Sequence, residues 1–410
     1  MRPALEPPLR PTFEALPPLS VYVHIPWCVR KCPYCDFNSH EARGDVPQDA
    51  YVDAVLADLE QALPSVWGRR VHTVFIGGGT PSLFAPEAID RLLAGLRARL
   101  PFVPGAEVTM EANPGTFERG RFAGFFAAGV NRLSIGVQSF DPAKLAALGR
   151  IHDADEARRA TEAAMMIFGN VNLDLMFALP GQTLDGCEAD VAEALAFGTP
   201  HLSFYQLTLE PNTLFHKVPP EGLPDDDLAA DMQDLVAARL AAAGCERYEV
   251  SAYARPGARC AHNLNYWRFG DYLGLGAGAH GKVSLPGSIV REVRWKHPRQ
   301  YMEKVAEGEP AMERREVARD EVGFEFALNA LRLVDGVPAS SFAERTGFPL
   351  ATIARPLAEG ARRGLIVEDP SRIAATERGR HFLNATLELF LPQRASPART
   401  VPVTFDTASR

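Results

Sequence analysis

The chain has 410 residues, enough for a large domain plus a smaller one. Hydrophobic residues make up 46% and charged residues 23%, which excludes a chain too polar to bury a core. The formal net charge of -8 argues against a nucleic-acid partner, and no apolar run approaches the roughly 18 residues of a membrane span.

Residues 1–19 carry Arg2, Arg10 and several prolines, with no apolar stretch long enough for a secretory signal. They read as a disordered leader on a cytoplasmic protein. VYVHI at 21–25 reads as a strand, and Val52, Val55, Leu56, Leu59 and Leu63 follow the helical period. A strand at 71–76, a helix at 86–100 and a strand at 106–112 come next. A helix after Thr116 and a strand at 131–137 follow, then helices after Asp141 and Asp153. A strand at 171–179, a helix at 184–197 and a strand at 201–207 complete the series. Strand–helix alternation predicts a parallel sheet with helices outside, an α/β fold. About six repeats fit, fewer than a closed eight-stranded barrel needs. The polar and glycine-rich segments all fall after strand ends, where such folds place their chemistry.

A helix at 225–243 follows the Asp225–Asp227 run, and 226–310 reads as an extension carrying HNLNYW (262–267) and GLGAGAHG (274–281). Residues 311–390 pattern as helix, turn, helix and hairpin. This predicts a winged-helix-like α+β domain with its wing near Glu368–Arg372. Residues 391–410 read as a frayed tail.

Of the cysteines, Cys28, Cys32 and Cys35 crowd one loop, while Cys187, Cys245 and Cys260 are scattered. Clustering in a long chain without a signal favours metal ligation over a disulfide framework. Three cysteines after a strand can hold three corners of an iron–sulfur cube and leave one iron open. The same loop can hold zinc if His24 or His40 supplies a fourth ligand. The scattered thiols read as structural.

The C-x₃-C-x₂-C spacing, Tyr34 before the last cysteine, and GGGTP at Gly77–Pro81 resemble the signature of the radical S-adenosylmethionine (SAM) superfamily. The resemblance implies a partial (β/α)6 core over 20–225. It also implies a [4Fe–4S] cluster whose open iron binds SAM, and reductive cleavage to a 5′-deoxyadenosyl radical. The longer YVHIPWC pattern narrows it to the branch of oxygen-independent coproporphyrinogen III oxidases and HemW heme chaperones, over about residues 20–390. By that resemblance the SAM contacts are Tyr22, the turn Gly78, Gly79 and Thr80, Glu111 for the ammonium, Gln138 and Asp174 for the ribose, and Arg150 for the carboxylate. Taken singly, each of these residues is equally at home in a surface or backbone-satisfying role.

The oxidases are expected to carry a fourth cysteine where this chain has Phe37, and HemW proteins a phenylalanine. HNLNYW matches the H-N-x-x-Y-W pattern that the resemblance assigns to HemW. It implies heme contact, with His262 as a candidate iron ligand and Tyr266 and Trp267 against the porphyrin face. The alternative is a turn bonded by His262 and Asn263, with the two aromatics in core. Cys260, His280 and His297 are rival ligands. The oxidases also resemble one another in an N-terminal arm, for which this chain leaves little room before Cys28.

The resulting expectation is a heme chaperone that delivers heme to apo-hemoproteins such as respiratory enzymes. It would associate peripherally with membrane proteins and form a cluster-linked homodimer, with SAM cleavage left open. A coproporphyrinogen decarboxylase is the second reading. There the radical removes a propionate hydrogen and two carboxyl groups leave as carbon dioxide. A DNA-reading winged helix using Arg355, Arg362 and Arg363 is the third, disfavoured by the acidic balance.

Overall fold

A computed structural model describes residues 10–116 and 119–392. Its centre is six parallel strands: β1 (Leu19–Ile25), β2 (Val71–Gly78), β3 (Phe102–Ala112), β4 (Arg132–Gln138), β5 (Val171–Phe177) and β6 (His201–Gln206). They pair in chain order. The crossovers run through α1 (Gln48–Val66), α2 (Pro86–Arg99), α3 (Arg119–Ala128), α4 (Pro142–Ala147), α5 (Ala154–Ile167) and α6 (Leu184–Ala196). Local chemistry starts these helices where expected. Asp153 and Glu156 form a reciprocal cap on α5, and Thr183 accepts the Gly186 N–H at the start of α6.

Each strand has two characters. In β4, Leu133, Ile135 and Val137 are fully buried in the main core, while Arg132, Ser134, Gly136 and Gln138 alternate with them and line the cavity. Each such apolar side chain contributes about 1.5–3 kcal/mol on burial. The inward polar set costs stability unless it is hydrogen-bonded or meets a ligand.

The region after β6 does not stand apart from the barrel. After the short helix α7 (Leu214–Lys217) and α8 (Asp226–Ala242), strands β7 (Glu246–Arg247) and β8 (Ala252–Ala254) extend the sheet antiparallel beyond β6. After α9 (Ala261–Trp267), β9 (Asp271–Leu275) pairs parallel with β1 on the other edge. β10 (His280–Leu285), β11 (Ser288–Arg294) and β12 (Ala311–Glu316) continue antiparallel, giving a 12-stranded sheet. Asp271 locks this junction. It accepts from Lys282 Nζ at 2.9 Å, Arg69 Nη2 at 2.8 Å, and the Ser284 N–H and hydroxyl at 2.9 Å each. Between β11 and β12, α10 (Pro298–Ala306) packs on α1, where the Tyr301 hydroxyl donates to Asp58 at 2.8 Å.

The C-terminal part, with α11 (Arg319–Ala330), α12 (Ser340–Thr346), α13 (Ala354–Arg362) and a hairpin bridged at Ile366 and Ala375, builds a second core together with Tyr248, Ala252, Phe269 and Ile289 of the extended sheet region. The hairpin turn covers Glu368–Arg372, where the wing was expected. Arg362 and Arg363 both pair with Glu359, so that cluster presents less free charge than its sequence suggests.

The leader expectation needs correction at residues 10–18. Thr12 N–H bonds Gly347 O at 2.9 Å, Pro11 is buried, and Phe13 packs on the C-terminal core. This stretch straps the C-terminal part to β1, because its prolines and Phe13 find apolar surface there. Residues 1–9, and 393–410 of the tail, lie outside the described residues. No helix among the described residues is long and apolar enough to cross a membrane.

Candidate functional site

The cysteine loop follows β1 directly. Trp27–Cys28 pairs with His40–Glu41, which closes the loop at its base. His40 N–H bonds Pro26 O at 2.7 Å, and Cys35 N–H bonds Cys32 O at 3.1 Å. Cys28, Cys32 and Cys35 are half-buried free thiols on one cavity of about 470 Å³. The glycine turn packs onto this loop: Gly79 N–H bonds Ile25 O, and Thr80 N–H bonds Trp27 O, both at 2.7 Å. A Cβ on Gly78, which has φ +117°, would sit 2.6 Å from the His24 ring, and one on Gly79 would sit 2.5 Å from Trp27 O. These glycines let the turn approach the cysteine loop as well as line the cavity.

The donor set fits a three-thiolate cluster better than zinc. Both ring nitrogens of His24 are committed, to Tyr22 OH at 2.9 Å and Asn38 O at 2.8 Å. His40 turns Nε2 to Lys296 O at 3.3 Å. Burial pushes the Cys28 and Cys35 thiols up, a cost that bound iron removes by taking the thiolates as ligands. Cys28, Cys32 and Cys35 would hold such a cluster, which when bound would supply the electron for one-electron reduction of SAM.

Of the expected SAM contacts, Gly78, Gly79, Thr80, Glu111, Gln138, Arg150 and Asp174 all line this cavity. Tyr22 does not. Its ring stacks on Phe75 and its hydroxyl holds His24, so it supports the loop from behind. Glu111 accepts the Gly78 N–H at 3.0 Å. Burial, then the charge of Asp174, pushes its carboxyl up to about 8, against the pull of that N–H. Burial also raises Asp174, although Ser134 donates to it at 2.7 Å and Asn172 at 2.9 Å. Two buried acids facing one cavity suit a ligand with an ammonium and hydroxyls. Arg150 donates to Gly136 O at 2.8 Å and to Cys32 Sγ at 3.6 Å, with Nε unpartnered. Its guanidinium therefore stands beside the cluster loop with capacity for a carboxylate. Gln138 sits at a register shift with φ 69°, a left-handed conformation that costs a non-glycine residue on the order of 1–3 kcal/mol.

The radical SAM superfamily profile matches residues 22–194, and the HemN C-terminal domain profile matches 317–382. The chain is 50% identical over 380 residues to the heme chaperone HemW of Escherichia coli, covering 92% of this chain and 99% of that protein. It is 35% identical over 379 residues to the heme chaperone HemW of Bacillus subtilis, covering 91% and 99%. The chain belongs to the HemW family of radical SAM proteins. The solved coproporphyrinogen III oxidase HemN of Escherichia coli shares the fold, with TM-score 0.78, 26% identity, and coverage of 92% of this chain and 90% of that one.

The HNLNYW segment of this HemW-family chain differs most from expectation. It forms α9, which sits at the opposite end of the barrel from the cysteines. His262 is fully buried, with Nδ1 on Thr73 Oγ1 and Nε2 on Tyr266 OH, both at 2.8 Å. Thr73 lies near the start of β2, in register with Ser20 of β1 and Glu107 of β3. Glu107 accepts the N–H groups of Ala261 at 3.1 Å and His262 at 3.0 Å, fixing the start of α9. The segment is thus a plug in the barrel floor, and neither nitrogen of His262 is free for iron in this arrangement. Tyr266 packs edge-on to Tyr272, and Trp267 lies under the Arg332 guanidinium at 4.3 Å. The rival Cys260 is buried against Glu107, and burial pushes its thiol up to about 12, which disfavours a thiolate ligand. His297 packs on His40, and His280 is exposed at the start of β10.

Sequence reasoning missed the barrel interior itself. Arg132, Asn172, Ser203, His201, Tyr205 and Asn263 also line the cavity. The signal was present: N-x-D in β5 and H-x-S-x-Y in β6 place polar side chains every second residue inside apolar strands.

Proposed function

We propose that this chain is a cytoplasmic heme chaperone that binds heme reversibly and hands it to apo-hemoproteins such as respiratory enzymes. Its [4Fe–4S] cluster is held by Cys28, Cys32 and Cys35, and its SAM site by Gly78, Gly79, Thr80, Glu111, Gln138, Arg150 and Asp174. The full-length identity to proteins named heme chaperones carries this reading. Phe37 supports it: the side chain is 58% exposed at the cavity, where a fourth thiol would otherwise stand beside the cluster. Delivery to a membrane-bound recipient, and a homodimer tied to cluster loading, follow as part of the same proposal.

Within the site, Glu111 and Asp174 would hold the SAM ammonium and ribose, and Arg150 its carboxylate. The glycine turn would press backbone against the ligand. The fold shared with HemN favours a second reading, oxidative decarboxylation of coproporphyrinogen III. One experiment separates them. The anaerobically reconstituted protein is titrated with heme in the Soret region and, in parallel, given coproporphyrinogen III and SAM. A saturable Soret shift without porphyrinogen turnover supports the chaperone. Turnover with carbon dioxide release overturns it.

A further inference from the structure

The floor of the cavity holds a charged group that the SAM reading does not use. Arg132 is 2% exposed at the start of β4 and lines the same cavity as the cluster cysteines. Its guanidinium makes no hydrogen bond with any described residue, and its Nε is an unpartnered buried donor. A buried arginine ordinarily has its fork filled, because a charged donor taken out of water without a partner is costly.

The nearby acids do not fill it. Glu107 is turned to the start of α9, and Asp174 to Ser134 and Asn172. His201 is closed on both sides, by Asn172 at 2.6 Å and Tyr248 at 2.9 Å. Glu107 and Asp174 offset the arginine's charge through space but leave its donors open. Asn263, the second residue of HNLNYW, reaches the same cavity from the floor plug, and its side-chain amide is also unbonded among the described residues.

We propose that Arg132 and Asn263 form a floor subsite for a small organic carboxylate, bound beneath SAM in the same barrel. The planar fork of an arginine matches a carboxylate in two parallel hydrogen bonds, and the asparagine amide can add a third. The subsite lies at the strand starts, whereas the glycine turn, Glu111 and Gln138 lie at strand ends and Asp174 midway along β5. Both ligands therefore occupy the barrel together. The floor of a cavity of about 470 Å³ that also holds SAM excludes a bulky guest, so the ligand is a small acid or a chain that ends in one. The proposal stands independently of heme binding. It concerns what the barrel holds besides SAM, and gives the plug segment a ligand-facing residue.

The test uses the full-length, anaerobically reconstituted protein with SAM present. Its thermal unfolding midpoint is followed with acetate, propionate and succinate, each against its neutral amide at equal ionic strength. Ligand binding to the folded state raises the midpoint with concentration. The expected result is a saturable rise for at least one carboxylate and none for its amide. That rise is absent in Arg132→Gln, weakened at least about tenfold in apparent affinity in Asn263→Ala, and partly kept in Arg132→Lys. Equal shifts for carboxylates and amides in the unsubstituted protein overturn the subsite, whatever becomes of the Arg132 variants. Carboxylate shifts that persist in Asn263→Ala and Arg132→Gln overturn it too, by placing the acid elsewhere.

Discussion

Replacing His262 with alanine tests whether HNLNYW is a floor plug or a heme ligand. The substitution removes two hydrogen bonds of 2.8 Å. Thr73 keeps its bond to Ser20 Oγ at 2.7 Å, so only the Tyr266 hydroxyl is left without its partner. An orphaned buried hydroxyl costs about 1–3 kcal/mol. Deleting a fully buried ring adds a cavity term of about 2–3 kcal/mol, the low end for large-to-small core changes. The sum, about 3–6 kcal/mol, corresponds to a fall in unfolding midpoint of roughly 4–7 °C for a chain this large. The assay pairs thermal unfolding with a heme titration below the lowered midpoint. His262→Ala should unfold early yet retain the Soret signature of heme per folded molecule. A variant that unfolds with the unsubstituted protein but loses that signature would refute the plug and restore His262 as a ligand.

Other expectations follow from the same geometry. Removing Cys28, Cys32 or Cys35 singly should abolish the iron content and visible absorbance of the reconstituted protein. Cys187→Ala and Cys245→Ala should keep both. Glu111 is held neutral in the ligand-free fold up to about pH 8, from an ordinary value near 4.5. Its contribution to the ligand-free fold is full below that ordinary value and is lost as pH rises through 8. Binding an ammonium requires the ionised form, so SAM affinity should rise with pH by up to about tenfold per unit towards 8, and fall above it as the ligand's own α-ammonium loses its proton. Equilibrium dialysis of SAM across pH 6–9 checks this; a Glu111→Gln variant that binds as tightly and with the same pH slope would exclude Glu111 as the partner. Asp271→Ala leaves Lys282 and Arg69 without their shared carboxylate at a junction where Asp271 and Lys282 are fully buried. A loss of about 3–5 kcal/mol in denaturant unfolding is expected. Burial pushes Asp271 up, but Lys282 and Arg69 outweigh it and hold it below its ordinary range. Its stabilisation is therefore present above pH 4 and fades as pH falls below, a fade that Asp271→Asn should lack.

The sequence by itself determined much of this protein. Strand–helix alternation placed the six parallel strands within a few residues, since burial on the outer strand face and helix caps are local, periodic signals. The three thiols on one loop, with the glycine turn, Glu111 and Gln138 at successive strand ends, marked one site before any contact was known. Its electrostatics were not legible: the raised Glu111 depends first on burial inside the barrel and then on Asp174, 63 positions away, meeting it there.

Only the tertiary structure decided what HNLNYW does. The pattern of an imidazole beside two aromatics is the same for a ligand and for a plug. The difference is that Thr73 and Glu107, far away in the chain, hold His262 at the end of the barrel opposite the cysteines. Likewise the extension after β6 reads as a separate segment, because nothing local tells β9 to pair with β1. That pairing rests on Asp271, whose partners Arg69, Lys282 and Ser284 come together only in the folded sheet. Periodicity and spacing report which faces are buried; which distant face meets them is settled by packing alone.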